Sequence, residues 1–138
     1  MTTNEEFAKR MMLLARPVEQ FRPQAIYDQD GDCIEFLAKP DSFYAERVDD
    51  LVTVYYSQET NEVIGSLIKS VSRLTKELVQ SFPGFRIVVE DGRVKLEHVF
   101  LARLWARKPD EHDLATLTYR KLAEVAEQAQ VEAELCFA

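Results

Sequence analysis

The chain has 138 residues, of which 46% are hydrophobic and 30% are charged, so it can bury a substantial core without disulfides or metals. Its formal net charge of −7 disfavours attraction to nucleic-acid phosphates and to anionic lipid. Its apolar runs fall far short of the roughly 20 residues that span a bilayer, and its start is acidic rather than basic as in a signal peptide. We therefore expect one cytoplasmic domain over residues 1–138 that enters no membrane and binds no duplex DNA on its own.

The N-terminal part of the sequence predicts one helix. A capping-box pattern at its start precedes apolar residues at helical spacing, which indicates a helix over about residues 4–15. Pro17 and Pro23 prevent the helix from continuing, so residues 16–24 are expected to form an extended connector.

Residues 25–68 alternate short runs of β-branched and aromatic residues with polar turns, which is typical of an antiparallel meander. The expected strands cover residues 26–27, 33–37, 43–46, 51–56 and 63–68. The fourth of these has no charged residue, so we expect it to be central or paired, because exposed edges favour aggregation. Gly65 would allow a bulge or a close approach of another backbone.

The next segments predict a helix and a second hairpin. An apolar stripe over residues 71–82 indicates a helix that ends at Pro83-Gly84. Asp91-Gly92 is the pair that tight hairpins prefer, so residues 86–90 and 93–97 are expected to be its two strands.

Residues 100–107 fit either a strand or a helix, whereas a final helix is expected near residues 114–134. Its expected core side consists of Leu114, Leu117, Leu122, Val125, Ala129 and Ala133. Because strands and helices come in separate blocks, the predicted fold is α+β: an antiparallel β-meander sheet covered by two or three helices.

The order of turns and strands between residues 26 and 72 is distinctive. Its elements are Tyr27-Asp28, Asp32, Ile34, Phe36, Glu46, Val48-Asp49-Asp50, Val52, Val54-Tyr55, Val63-Ile64-Gly65, Ile68 and Ser72. This pattern resembles a small bacterial family, domain of unknown function 2283. The resemblance implies a compact β-meander followed by a helix and carries over no catalytic residue. It also implies proteins that pair with toxin-like partners.

The acidic turn after residue 27 is the first candidate chemical site. Asp28, Asp30 and Asp32 surround Gly31 and provide the carboxylates that hard cations prefer. The glycine is fourth in this run rather than sixth, and Lys39 stands where a calcium loop has its glutamate. We therefore predict a hairpin turn and keep a metal site as the alternative.

The two histidines are the second candidates. His98 alternates with Leu96 and Phe100, which favours a half-buried strand residue over a catalytic base. His112 lies in an acidic run just before the last predicted helix, where a capping role is expected.

One cluster of basic and aromatic residues could contact phosphate or a partner. Arg103, Arg107 and Lys108 lie around Trp105. Three cations do not outweigh the net charge of −7. We expect Trp105 to pack, and the arginines to pair with acidic helices or to lie at a subunit interface.

No catalytic constellation is complete, so we expect a non-catalytic interaction module, such as the regulatory or antitoxin-like half of a protein pair with a basic partner. The edges of a meander further predict a homo-oligomer, most simply a dimer. The alternative is a small enzyme or metal-binding protein that uses Asp28, Asp32, Asp49, Asp50 and His98. Cys33 and Cys136 have no zinc-like spacing, so reduced thiols and no cofactor are expected.

Overall fold

The computed structural model describes residues 21–82, 92–106 and 113–135, and these form the predicted α+β fold. The strands are β1 (Gln24–Asp28), β2 (Cys33–Leu37), β3 (Phe43–Arg47), β4 (Val52–Ser57), β5 (Val63–Ile68), β6 (Arg93–Lys95) and β7 (Glu132–Glu134). The helices are α1 (Val71–Ser81), α2 (Leu96–Ala106) and α3 (Leu114–Ala129). The predicted helix over 4–15, the strand over 86–90, Asp91, Arg107, Lys108, His112 and Cys136 lie outside the described residues.

The first five strands form one antiparallel sheet in the order β1-β2-β5-β4-β3. Strands β3, β4 and β5 follow one another as a meander. Strand β2 pairs with β5 rather than with β3, so the β1–β2 hairpin joins the sheet on the far side of β5. The uncharged strand β4 lies between β5 and β3, which confirms that it is central.

Gly65 allows β5 to approach β2 closely. A Cβ atom on this residue would lie 2.2 Å from the carbonyl oxygen of Phe36, so no larger residue fits without moving a strand. The register of the β4–β5 pair also shifts between Tyr55 and Tyr56, which places a bulge beside the glycine. The close approach and the bulge both match the prediction for Gly65.

The hydrophobic core lies between the sheet and the helices. Strands β2 and β4 contribute buried side chains at alternate positions, and these pack with side chains from all three described helices. The rings of Phe36 in β2 and Phe100 in α2 have centroids 6.4 Å apart. As predicted, the core face of α1 consists of Val71, Leu74 and Leu78.

Helix α2 resolves one ambiguity and corrects one prediction. The residues expected to be either strand or helix are helical as far as Ala106. The strand expected over 93–97 is correct only for Arg93–Lys95, which pair with β7. The buried residues that follow have a helical period rather than a strand period, since Leu96, Val99, Phe100 and Leu104 are buried.

The predicted core side of α3 is correct except at its N-terminal end: Leu122 is buried, and Val125 and Ala129 are partly buried against the core. Leu114 is 78% exposed and Leu117 is 48% exposed, so their expected burial is wrong. The buried residues are Thr116, Tyr119, Leu122, Ala123 and Ala126. The helix ends earlier than expected because Gln130 adopts a left-handed backbone (φ 53°), and Ala133 belongs to β7.

Candidate interaction surface

The acidic turn between β1 and β2 closes onto the start of α1. The Asp28 carboxylate accepts a hydrogen bond from the backbone N–H of Asp30 at 3.1 Å. The Asp32 carboxylate accepts from the Tyr27 hydroxyl at 2.8 Å, from the Ser72 N–H at 3.1 Å, and from the Ser72 hydroxyl. This turn is the hairpin that the sequence predicts, and two of its carboxylates have structural partners.

Asp32 takes the place of an ordinary N-cap for α1. Ser70, at the N-cap position, has a left-handed backbone and makes no side-chain capping bond. Burial by itself would raise the pKa of Asp32, but the hydrogen bonds from Ser72 and Tyr27 outweigh it and hold the pKa below its ordinary value. The Tyr27, Asp32 and Ser72 positions of the family-like pattern therefore join the first hairpin to the first helix.

The second acidic turn, residues 48–50, organises a polar network at the helices. One oxygen of Asp49 accepts from the backbone N–H groups of Leu51 and Val52, each at 2.9 Å. Its other oxygen accepts from the hydroxyl of Tyr119, a fully buried residue of α3, at 2.5 Å. Arg103 of α2 donates to the same oxygen at 3.4 Å. A single carboxylate thus connects the sheet to two helices.

Arg103 extends this network to the neighbouring acidic groups. Its guanidinium lies 3.6 Å from Asp50 and 3.9 Å from Glu77 of α1. The side chains of Arg103 and Asp49 are only 17% and 12% exposed, so their charges are largely withdrawn from water. The expectation that an arginine of this cluster pairs with acidic residues is confirmed for Arg103.

The electrostatics of the network favour the ionised carboxylate. Burial by itself would raise the pKa of Asp49, but donors from Tyr119, Leu51 and Val52 and the charge of Arg103 hold it below its ordinary value. Burial and the bond to Asp49 raise the pKa of Tyr119 above its ordinary range. The tyrosine is therefore a fixed donor rather than a proton-transfer group near neutral pH.

The acidic candidates do not meet as a metal or acid–base site within the described residues. In that part of the chain, no three His, Cys, Asp or Glu side chains are grouped to hold a metal ion. Asp32 binds Ser72, whereas Asp49 binds Tyr119 and Arg103. Two clefts of about 450 and 410 Å³ are lined by other residues.

The position of His98 differs from the prediction. It lies on α2 rather than on a strand, and it is exposed rather than half-buried. Its expected neighbours Leu96 and Phe100 point into the core, since a helix places residues two apart on different faces. In the described part of the chain, His98 belongs to no group of three His, Cys, Asp or Glu side chains that could hold a metal ion.

Among the described residues the most exposed aromatic side chain is that of Trp105, which the sequence analysis expected to pack. It is 72% exposed near the C-terminal end of α2. Together with Phe82, Leu101 and Ala102 it lines an open apolar depression of about 240 Å³. We call these four residues the tryptophan patch. The prediction that Trp105 packs within the protein is therefore wrong.

Other exposed apolar residues lie at the same end of the helical layer. Helices α2 and α3 run antiparallel, because Leu96 N–H donates to the Val131 carbonyl at 3.2 Å while Arg103 lies 3.4 Å from the Tyr119 hydroxyl. This register puts the C-terminal end of α2 level with the N-terminal end of α3. Leu114 and Leu117, both exposed, are at that end of α3.

No protein-family model, curated protein or solved structure matches the chain. The similarity of residues 26–72 to domain of unknown function 2283 remains a prediction. None of the described helices is both long and apolar enough to cross a membrane.

Proposed function

We propose that the protein is a non-catalytic interaction module that binds an apolar segment of a basic partner protein on the tryptophan patch. The observation that carries this proposal is the exposure of Trp105 beside an apolar depression. Tryptophan is enriched among residues that dominate binding energy, and exposed apolar patches mark interaction sites.

Charge and packing support the same proposal. The net charge of −7 would speed encounter with a basic partner and disfavour acidic ones. The side chains of Asp32 and Asp49 are occupied in holding elements together, which leaves them unsuited to catalysis. We further propose a cytoplasmic location, with which the free thiol of Cys33 agrees. The finer role, as the regulatory or antitoxin-like half of a pair, follows only from the family resemblance.

Affinity capture of binding partners from the native cell tests the proposal. Wild type is compared with two variants in which one exposed side chain is replaced by alanine. Trp105→Ala removes the centre of the patch, and Ile26→Ala removes a 55% exposed residue of β1. Both should fold normally because neither side chain is buried. A basic partner retained by wild type and Ile26→Ala, and lost by Trp105→Ala, is the expected result.

Titration of that partner then gives a direct readout. Trp105 is the only tryptophan of the chain, so its fluorescence reports on the patch alone when the partner segment contains none. We expect the emission of wild type to shift to shorter wavelength on binding. Calorimetric titration, which needs no tryptophan, should show that Trp105→Ala binds about 30-fold more weakly, the cost of a hot-spot residue. A partner that binds both variants equally, or binds without a change in emission, would refute the proposed site.

A further inference from the structure

Strand β3 forms one edge of the five-stranded sheet. The opposite edge, β1, has β7 packed beside it, whereas among the described residues no strand pairs with the outer side of β3. All five residues of β3 are exposed, although they are in a regular ladder with β4. Natural edge strands are commonly protected by charged side chains, by proline, by bulges or by a covering element. Strand β3 has two charged residues of opposite sign, Glu46 and Arg47, and no proline. The bulge of this sheet lies between β4 and β5, so it does not protect β3.

The hydrogen-bond pattern fixes which backbone groups of β3 point outward. Gln58 N–H donates to the Ser42 carbonyl, and Val48 N–H donates to the Val52 carbonyl. Hydrogen-bonded pairs alternate with non-hydrogen-bonded pairs along an antiparallel ladder. Since Ser42 and Val48 both bond across to the β4 side, the even-numbered residues between them, Tyr44 and Glu46, also bond to β4. The N–H and C=O groups of Phe43, Ala45 and Arg47 therefore face away from β4. Among the residues that the structure describes, the Phe43 carbonyl is the only one of these groups that accepts a side-chain hydrogen bond, from the Gln58 amide at 3.5 Å.

We propose that β3 pairs antiparallel with β3 of a second copy of the chain, around a twofold axis at Ala45. The outward groups of Ala45 would bond to those of Ala45 in the second copy, and Phe43 and Arg47 would bond to Arg47 and Phe43. This arrangement forms about six backbone hydrogen bonds and joins the two sheets into one. It does not use the tryptophan patch.

The side chains of β3 suit pairing with itself. In this register the small Ala45 lies on the axis, Arg47 faces Phe43, and Glu46 faces Tyr44, so no like charges are opposed. Two aromatic stacks pack the strand against β4: Phe43 on Tyr55, with ring centroids 4.1 Å apart, and Tyr44 on Tyr56 at 5.4 Å. A partner strand would therefore meet an edge that is already paired on its inner side.

Hydrogen exchange measured at increasing protein concentration tests the register directly. The amides of Tyr44 and Glu46 bond to β4 and should be protected at every concentration. The amides of Ala45 and Arg47 should become protected only as the dimer forms, with about a tenfold slowing across the association range. Because copies of net charge −7 repel each other, salt should strengthen this dimer, whereas it would weaken binding of a basic partner.

Two substitutions at one position give the matched comparison, followed by analytical ultracentrifugation. Ala45→Pro removes an outward N–H that β4 does not use, and Ala45→Ser keeps it. We expect Ala45→Pro to raise the dimer dissociation constant at least about tenfold, and both Ala45→Ser and Trp105→Ala to dimerise like wild type. A wild-type chain of 15.9 kDa at all concentrations, or Ala45→Pro dimerising normally, would overturn the proposal. If Ala45→Pro fails to fold, the wild-type exchange data decide instead. An exchange rate of the Ala45 amide that stays the same at all protein concentrations would then overturn the proposal.

Discussion

Removing the Tyr119 hydroxyl should lower the free energy of unfolding by about 2 kcal/mol, because it donates to a carboxylate that water barely reaches. Asp49 is 12% exposed and lies 2.5 Å from that hydroxyl. Hydrogen bonds to charged groups contribute about 1.5–3 kcal/mol, and a partly buried acceptor cannot recover the loss from solvent. For a chain of this length, Tyr119→Phe should lower Tm by about 6 °C. Tyr44→Phe is the matched control, since Tyr44 is 39% exposed, and it should cost less than about 0.5 kcal/mol.

A double-mutant cycle with Asp49→Asn, measured by urea unfolding, isolates the interaction. Asparagine keeps an oxygen for the N–H groups of Leu51 and Val52 but removes the charge. If the tyrosine acts through the carboxylate, Tyr119→Phe should cost at least about 1 kcal/mol less in the Asp49→Asn background. Equal costs in both backgrounds would refute the reasoning.

The pH dependence of the same variant follows from the lowered pKa of Asp49. A carboxyl whose pKa is lower in the folded than in the unfolded state contributes its full stability above its unfolded pKa, near 4. That contribution is lost as the pH falls through the lower, folded pKa. The stability difference between wild type and Tyr119→Phe should therefore be constant near neutral pH and shrink below about pH 4. A difference that grows on acidification would contradict this sign.

Three further substitutions test separate features, each by denaturant unfolding. Gly65→Ala should destabilise by about 4 kcal/mol or prevent folding, because its Cβ would meet the Phe36 carbonyl oxygen, and a wild-type midpoint would contradict the close approach. Thr116→Val should stabilise by about 1 kcal/mol, because the buried hydroxyl has no partner among the described residues, whereas Thr116→Ser should bring no gain. Ser72→Ala should cost about 1 kcal/mol by removing one of the donors to Asp32, and an unchanged stability would show that the cap is not needed.

The first half of the fold could be predicted because its determinants are local. Turns rich in Asp and other polar residues separate strands of β-branched and aromatic residues, and the helix after them has a regular apolar stripe. The pairing of β2 with β5 is different, because it joins Ile34 to Ile68. The alternation of residues in the two strands does not by itself select that neighbour over β3. Gly65 of β5 makes the pairing possible, because a Cβ atom there would meet the Phe36 carbonyl oxygen.

The errors at the start of α3 share one physical cause. The apolar residues of α3 fall on more than one face of the helix. The sequence pattern alone predicts burial of the face with the largest side chains, which includes Leu114 and Leu117. The structure instead buries Thr116, Tyr119 and Ala123, because the Tyr119 hydroxyl has a carboxylate to bond, 70 residues earlier in the chain. A buried tyrosine needs such a partner, and the partner is invisible in the local sequence.

The same polar network accounts for the position of the tryptophan patch. Arg103 is held on the inner side of α2 by Asp49 and Tyr119, so the helix is fixed in rotation about its axis. Residues two positions before and after it, Leu101 and Trp105, lie about 200° around the helix and must face outward. Turning the tryptophan inward would withdraw Arg103 from its acidic partners and leave the Asp49 carboxylate with one donor fewer in a site that water barely reaches. The exposure of Trp105 is thus enforced by buried charges rather than by the surface around it, which is why local sequence pattern predicts the opposite.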